Sequence, residues 1–155
     1  MGAGPFIGEL SGIEGDELRR RGGDAGEYGA VTGRPRRMAW FDAVATRYGC
    51  LIQGATEAAL TNLDVLGYLD QIPVCTAYRL ANGEVTEQFP VTAQLEGAAL
   101  VMQLLPGWKC DISTFSRYAD LPEEAKQYIA FVEKATGVPV SMVSVGPRRE
   151  QLIRR

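Results

Sequence analysis

The sequence has no histidine, and only three of its 155 residues are cysteines. Without an imidazole it has no Ser–His or Cys–His nucleophile pair, no histidine metal ligand and no histidine general base near neutral pH. The cysteines stand at positions 50, 75 and 110, far from the paired spacing of a structural zinc site. We therefore expect no metal site. A scattered, odd number of cysteines favours a reducing cytoplasm over a disulfide framework.

The sequence also lacks a dominant charge and a long apolar run. Its 16 Lys and Arg residues nearly balance 19 Asp and Glu residues, and the net charge of −3 argues against a nucleic-acid module. No apolar run approaches the roughly 18–20 residues that cross a bilayer, and the first residues do not resemble a signal peptide. We expect a cytoplasmic globular protein that has neither nucleic acid nor a membrane as its partner.

Glycine is abundant but unevenly distributed, since ten of the 18 glycines fall within residues 1–33. This composition predicts a glycine-rich N-terminal loop region with at most a short helix around residues 16–21. Two interpretations remain open for it. One is a flexible leader, and the other is a ligand loop in which glycines let the backbone approach a bound molecule.

The rest of the chain predicts an α+β fold. Asn82-Gly83 is a strong hairpin signal, Asp120 with Glu123 suggests a capped helix start, and Gly137 suggests its end. We therefore expect a mixed or antiparallel sheet with an Asn-Gly hairpin, two main helices and no internal repeat. The predicted elements are helices over residues 40–52 and 121–136 and strands over residues 60–66, 74–80, 84–89, 98–105 and 138–145.

The first candidate site is the arginine loop, which we define as residues 26–37. Thr32, Gly33, Arg34 and Arg36 follow one another with a single proline between the two arginines. Two guanidinium forks behind a glycine turn suit bidentate capture of an anionic ligand. The alternatives are a solvated basic loop and a basic cluster of the kind that serves as a localisation signal.

The second candidate is the Asn-Leu-Asp segment, Asn62, Leu63 and Asp64, at the end of a predicted buried strand. A carboxylate there could accept hydrogen bonds from both N1–H and the exocyclic amino group of guanine, an edge that adenine does not offer. The alternative is an aspartate that caps the next turn.

The third candidate is the Ser-Val-Gly segment, Ser144, Val145 and Gly146, which follows the last predicted strand. A serine followed by backbone N–H groups can hold a base carbonyl or an anion. The alternative is an ordinary turn that ends a strand.

Taken in order, seven short motifs resemble the C-terminal third of the adenylosuccinate synthetase family of purine-pathway ligases. The likeness covers essentially the whole chain, and the arginine loop with its Trp-Phe-Asp continuation is its most specific part. The motifs are Gly-Ala-Gly-Pro-Phe at 2–6, Gly-Glu-Tyr-Gly-Ala-Val-Thr-Gly-Arg-Pro-Arg-Arg at 26–37, Trp-Phe-Asp at 40–42, Leu-Thr-Asn-Leu-Asp-Val-Leu at 60–66, Pro-Gly-Trp at 106–108, Leu-Pro at 121–122 and Ser-Val-Gly-Pro at 144–147.

The resemblance implies a ligase that joins IMP and L-aspartate to form adenylosuccinate, with GTP as the energy source and Mg²⁺ as cofactor. In this family GTP first phosphorylates the 6-oxygen of IMP, and the amine of aspartate then displaces the phosphate. The resemblance further implies that Thr32, Gly33 and Arg34 bind aspartate, that Arg34 also reaches IMP, and that Arg36 lies between aspartate and the guanine nucleotide.

The resemblance also implies that the guanine nucleotide binds against the Asn-Leu-Asp and Ser-Val-Gly segments. Four positions depart from the family pattern. Ala39 stands where glycine is usual, and Gly67 stands where an acidic residue is usual. Val31 stands where threonine is usual, and Asn62 stands where lysine is usual. The valine removes a hydroxyl donor from the arginine loop, and the asparagine removes an aliphatic stem that would lie against the base. The implied GTP-binding residues are Arg36, Asn62, Leu63, Asp64, Ser144, Val145 and Gly146.

The family's amino-terminal part carries a phosphate loop, a general-base aspartate, the magnesium ligands and a catalytic histidine, none of which matches this chain. We therefore expect a C-terminal subdomain over residues 1–155, with a ligand-loop region (1–37) and an α+β core (38–155). We expect this subdomain to hold no catalytic residue and no metal, and to be inactive alone. Its expected partner is the missing N-terminal part, and we expect it to form a homodimer or to self-associate. Two alternatives remain open: a non-catalytic guanine-nucleotide or anion-binding module derived from the ligase, and a purely structural domain.

Overall fold

The computed structural model describes residues 6–155, so the Gly-Ala-Gly-Pro motif at 2–5 lies outside the described residues. Short 3-10 turns at Asp64–Leu66, Tyr118–Asp120 and Arg149–Gln151 separate some of the elements. The helices and strands in chain order are α1 (Gly12–Arg21), β1 (Phe41–Asp42), α2 (Ala43–Gln53), β2 (Ala58–Leu60), β3 (Gln71–Arg79), β4 (Val85–Thr86), α3 (Thr92–Leu95), β5 (Ala99–Pro106), α4 (Glu123–Thr136), β6 (Val140–Ser144) and β7 (Leu152–Arg154).

Strand β3 is the centre of the larger sheet. Strand β5 pairs antiparallel with β3 along its whole length. The opposite edge of β3 pairs with two short strands, parallel with β1 at Val74 and Cys75 and antiparallel with β4 at Tyr78 and Arg79. The sheet is therefore mixed, and the predicted α+β class is confirmed.

The smaller sheet positions two of the candidate segments. Strand β6 lies at its centre, parallel to β2 and antiparallel to β7. Because the carboxyl ends of parallel strands meet at the same edge, the chain leaves β2 and β6 side by side. The Asn-Leu-Asp segment follows β2, and the Ser-Val-Gly segment begins at the last residue of β6.

Helix α4 covers the larger of the two hydrophobic clusters. Its Ala125, Tyr128, Ile129 and Val132 recur at helical spacing and are buried among residues of both sheets. The predicted helix is confirmed, and it ends as expected at Gly137, which has a left-handed φ of 75°. The predicted cap is wrong, since Pro122 occupies the N-cap position and the Asp120 carboxylate accepts hydrogen bonds from Arg117.

The strand predicted over residues 60–66 is wrong beyond its first residue. Strand β2 ends at Leu60, and the chain then passes through Asn62 with a φ of 60° into the 3-10 turn. A left-handed residue cannot continue a strand. The helix predicted over residues 40–52 begins at Ala43, because the Asp42 side chain accepts a hydrogen bond from the Ala45 amide at 2.9 Å and caps it.

The Asn-Gly hairpin is not confirmed in the expected form. Only Val85–Thr86 of the predicted 84–89 strand pairs with β3, whose main antiparallel partner is β5. The chain turns away after Thr86, whose hydroxyl accepts a hydrogen bond from the Gln88 amide at 3.1 Å.

The glycine-rich region is more helical than predicted, since α1 has ten residues. Leu18 on this helix is buried. No helix within residues 6–155 is long and apolar enough to cross a membrane.

The packing of α4 generates a stability prediction. Ile129 has 0% exposure, so Ile129→Ala should lower the free energy of unfolding by about 2–5 kcal/mol, measured by urea titration. Ile52→Ala is the matched control, because Ile52 is 66% exposed and its truncation should change stability by less than about 0.5 kcal/mol. Similar losses in the two variants would contradict the assignment of Ile129 to the core.

Candidate functional site

The Asn-Leu-Asp and Ser-Val-Gly segments meet at the edge where β2 and β6 end. The Leu63 amide donates a hydrogen bond to the Ser144 carbonyl at 3.2 Å, which joins them directly. Leu63 and Val145 are buried in the large hydrophobic cluster. These two side chains therefore hold the segments in place, and only their backbone atoms remain to meet a ligand.

Asn62 and Asp64 flank the buried Leu63 on the chain and are more exposed. Asn62 adopts the left-handed conformation that asparagine tolerates better than most residues. Asp64 begins the 3-10 turn directly afterwards. This backbone path brings both side chains to the same edge of the smaller sheet.

The Asp64 carboxylate is partly buried and has no cationic partner within residues 6–155. Burial raises the pKa of Asp64 above its ordinary value, and the negative charge of Asp111 raises it further. The amides of Asp64 and Val65 act in the opposite direction through hydrogen bonds. A carboxylate in this position is a strong hydrogen-bond acceptor, because two N–H groups of a ligand would replace the water contacts that it loses on burial.

The Ser-Val-Gly segment is a tight turn held by its own side chain and by Gln151. The Ser144 hydroxyl donates to the Gly146 carbonyl at 2.7 Å, and the Val145 amide donates to the Gln151 carbonyl at 2.9 Å. A Cβ at Gly146 would lie 2.4 Å from the Gln151 side chain. Glycine is therefore required here unless Gln151 moves.

Gln151 and Asp111 were not predicted from the sequence. The Gln151 side chain accepts from the Arg148 amide and donates to the Ser113 carbonyl, both at 3.0 Å. Asp111 accepts from the Ser113 amide at 2.8 Å, and this bond lowers the pKa of Asp111. An Asp-x-Ser pattern is a recognisable turn signal, whereas nothing local in the sequence marks Gln151.

The arginine loop is a narrow hairpin with an exposed tip. Tyr28 and Pro35 form a bridge, and the Gly29 amide donates to the Arg34 carbonyl at 2.8 Å. Gly33, with a φ of 64°, closes the turn by donating to the Gly29 carbonyl at 2.8 Å. The tip residues Thr32, Gly33 and Arg34 are exposed.

The base of the arginine loop contacts the Asn-Leu-Asp segment through Glu27, another residue that the sequence did not single out. Arg36 Nη1 donates to Glu27 Oε2 at 2.9 Å. Asn62 Nδ2 lies 3.5 Å from Glu27 Oε1, a long hydrogen bond. Arg36 is thus brought to the same region as Asn62.

The predicted site residues therefore fall into two groups. One group lies at the edge of the smaller sheet, with Arg36 connected to it through Glu27: Arg36, Asn62, Leu63, Asp64, Ser144, Val145 and Gly146. The tip residues Thr32, Gly33 and Arg34 make no hydrogen bond with either segment in the described part of the chain.

The described residues offer no evident place for a metal ion. Residues 6–155 contain no group of three or more histidine, cysteine, aspartate or glutamate side chains that could hold one. Cys50, Cys75 and Cys110 are free thiols.

Comparisons with known proteins agree on one family. A family model described as adenylosuccinate synthetase matches residues 1–153. The adenylosuccinate synthetases of Acidothermus cellulolyticus and Parafrankia sp. are 47% and 48% identical to the chain over 99% of its length. A fully ligated adenylosuccinate synthetase from Plasmodium falciparum superposes with a TM-score of 0.90 at 37% identity, over 99% of this chain and 37% of that one. The chain spans about 35% of the length of the two curated relatives.

The partly buried carboxylate predicts a pH-dependent gain in stability on substitution. Because the folded state raises the pKa of Asp64, its ionised form costs stability at pH 7 and its protonated form does not. Asp64→Asn should therefore raise the free energy of unfolding at pH 7, and the gain should vanish below the ordinary aspartate pKa of 3.8.

Urea titrations at pH 7 and near pH 3.5 would measure this difference. Asp24→Asn, at an exposed position, is the matched control and should change little at either pH. A gain for Asp64→Asn that persists at the lower pH would show that ionisation is not its cause.

Proposed function

Because this chain belongs to the adenylosuccinate synthetase family, we propose that it forms the guanine- and aspartate-binding part of a GTP-dependent ligase. That ligase joins IMP and L-aspartate to give adenylosuccinate in purine nucleotide biosynthesis, and its expected location is the cytoplasm. The chain spans about 35% of its curated relatives, so the complete reaction is assigned to the longer assembly of which these residues form a part.

The observation that carries the proposal is the Asp64 carboxylate, which is partly buried and has no cation beside it among residues 6–155. Guanine presents N1–H and an exocyclic amino group on one planar edge, and the two carboxylate oxygens can accept both. Adenine presents an unprotonated N1 at the same place, which would face the carboxylate with a lone pair. Asp64 therefore selects guanine by hydrogen-bond complementarity.

The Ser-Val-Gly segment supports the same assignment from the neighbouring strand. The Val145 amide already donates to Gln151, so a base carbonyl would have to use the Ser144 hydroxyl or the Gly146 amide. If the base carbonyl uses the Ser144 hydroxyl, that hydroxyl must give up its bond to the Gly146 carbonyl. Asn62 and Leu63 complete this side of the guanine-binding part.

The arginine loop is assigned to the aspartate substrate. Thr32, Gly33 and Arg34 at its exposed tip would bind the substrate carboxylates, and Arg34 would also reach IMP. Arg36 at the base lies beside Asn62 and would stand between aspartate and the guanine nucleotide. A guanidinium fork matches a carboxylate in bidentate geometry, which fixes both position and orientation.

The chemical step requires groups that these residues do not supply. The chain contains no histidine, and residues 6–155 hold no acidic cluster that fits Mg²⁺, so we assign the phosphate loop, the general base and the magnesium ligands to the rest of the ligase. We propose that residues 1–37 form a ligand-loop region on an α+β core of residues 38–155, and that the chain alone is inactive.

An alternative is a non-catalytic guanine-nucleotide or anion-binding module derived from the ligase. Two observations favour it. Val31, in the place usual for threonine, is 98% exposed and offers no hydroxyl, and the Asn62 side chain is turned towards Glu27.

Calorimetry with nucleoside diphosphates tests the guanine assignment. GDP should bind more tightly than IDP, which lacks the amino group, by about tenfold or more, and ADP should bind more weakly still. Asp64→Asn should weaken GDP binding by about tenfold or more, because hydrogen bonds to a charged acceptor are worth about 1.5–3 kcal/mol. Asp24→Asn, remote in sequence and exposed, is the control and should bind GDP like the parent chain. Equal affinities for GDP and ADP would refute the assignment.

Mixing experiments separate the ligase part from the derived module. We expect the chain alone to self-associate, because it exposes large apolar side chains such as Leu51, Ile52 and Leu104. Addition of the part of the Acidothermus synthetase that this chain does not match should give a defined complex by light scattering and restore conversion of IMP, aspartate and GTP. A monodisperse monomer that gains no activity on mixing would favour the module.

A further inference from the structure

We propose that Glu27 is a positioning residue that couples the arginine loop to the guanine-binding segment. Its two carboxylate oxygens contact different parts of the site, Oε2 with Arg36 at 2.9 Å and Oε1 with Asn62 at 3.5 Å. These partners lie 9 and 35 positions away along the chain. The inference rests on the proposed function, since it assumes that both parts bind ligands of one reaction.

The backbone of Glu27 is fixed on both sides, so its carboxylate has a defined position. Its amide donates to the Arg19 carbonyl on α1 at 2.8 Å, and its carbonyl accepts from the Arg36 amide at 3.0 Å. Arg19 Nε also donates to the Arg36 carbonyl at 2.9 Å. The end of α1 and the base of the loop therefore form one hydrogen-bonded unit.

The Glu27 side chain is also packed. A Cβ at Gly22 would lie 2.4 Å from Glu27 Cγ, so the absence of a side chain there makes room for it. Glu27 and Asn62 both line a cavity of about 190 Å³ whose other walls include Leu18 and Phe41. Only 21% of the Glu27 side chain is exposed, against 41% for Arg36.

These contacts divide the arginine loop into an anchored base and an exposed tip. The tip, with Thr32 and Arg34, has only local hydrogen bonds within the described residues. A ligand that moves Asn62 would change the contact on Glu27 Oε1 and, through the same carboxylate, the position of Arg36. By linkage, if guanine binding changes the affinity of Arg36 for an anion, then binding of that anion changes the affinity for guanine by the same factor.

Glu9 supplies a matched control for this role. Its carboxylate accepts from Arg37 Nε at 2.8 Å, so it too pairs with an arginine of the loop. Both residues are glutamates in exposed or partly exposed ion pairs, but no contact joins Glu9 to the Asn-Leu-Asp segment in the described chain. Glu9→Gln therefore removes a comparable charge without cutting the proposed connection.

Amide hydrogen exchange in the presence and absence of saturating GDP tests the coupling. In the parent chain GDP should slow exchange of the Arg36 amide by about fivefold or more, the lower end of typical coupling between sites. Glu27→Gln should abolish this response at saturating GDP, whereas Glu9→Gln should retain it. A response that survives in Glu27→Gln, or that is lost equally in Glu9→Gln, would overturn the proposal.

A ligand-free arm keeps the coupling separate from the proposed function. Asn62→Gly removes the side-chain amide and suits the φ of 60°, so it should not strain the backbone. It should speed exchange of the Arg36 amide when Glu27 is present and have no further effect in the Glu27→Gln background. If GDP does not bind the parent chain, the proposed function fails and this arm decides: additive effects of the two substitutions would overturn the coupling as well.

Discussion

The parallel pairing of β2 with β6 is the constraint on which the candidate site depends. It places the Asn-Leu-Asp and Ser-Val-Gly segments side by side at one edge of the smaller sheet, 80 or so positions apart in the chain. The hydrogen bond from the Leu63 amide to the Ser144 carbonyl extends the pairing past the end of β2. Because Leu63 and Val145 are buried there, the same residues that complete the core also fix the polar groups beside them. Packing therefore holds the Asn-Leu-Asp and Ser-Val-Gly segments in place.

The same packing holds the Asp64 carboxylate partly away from water, which disfavours its ionised form. Burial and the charge of Asp111 both disfavour the Asp64 carboxylate, and no lysine or arginine side chain offsets them in the described structure. If Asp64 served only to begin a turn, a neutral residue of the same shape would make the folded protein more stable. A fold-stabilising role thus explains Asp64 poorly, which agrees with the proposal that a ligand with two N–H donors binds it.

How far the sequence predicts this molecule depends on whether the signal is local. Helix α4 has a strong periodicity of 3.6, and it and β5 were predicted to within two residues, whereas the prediction for β3 missed its start at Gln71. The run over residues 60–66 was mistaken for a strand, because Leu63 and Val65 are buried in a turn and burial alone does not distinguish the two. The left-handed Asn62 that ends the strand has no signal in the neighbouring residues. The contact between Glu27 and Asn62 depends on two side chains meeting across the fold, which no sequence pattern specifies.

The site has two charged side chains, Asp64 and Arg34, that the described residues leave without an ion pair. Asp64 has no cationic partner, and the Arg34 guanidinium at the loop tip has no ion pair among residues 6–155. Arg36 and Glu27, in contrast, form an ion pair with each other. N–H donors would satisfy the Asp64 carboxylate, and an anion would satisfy the Arg34 guanidinium. Under the proposed function guanine would supply the donors and the aspartate substrate would supply the anion, and Glu27 contacts both Arg36 and Asn62. Neither of these proposed contacts needs a histidine, so the absence of histidine from the chain is compatible with the proposed function.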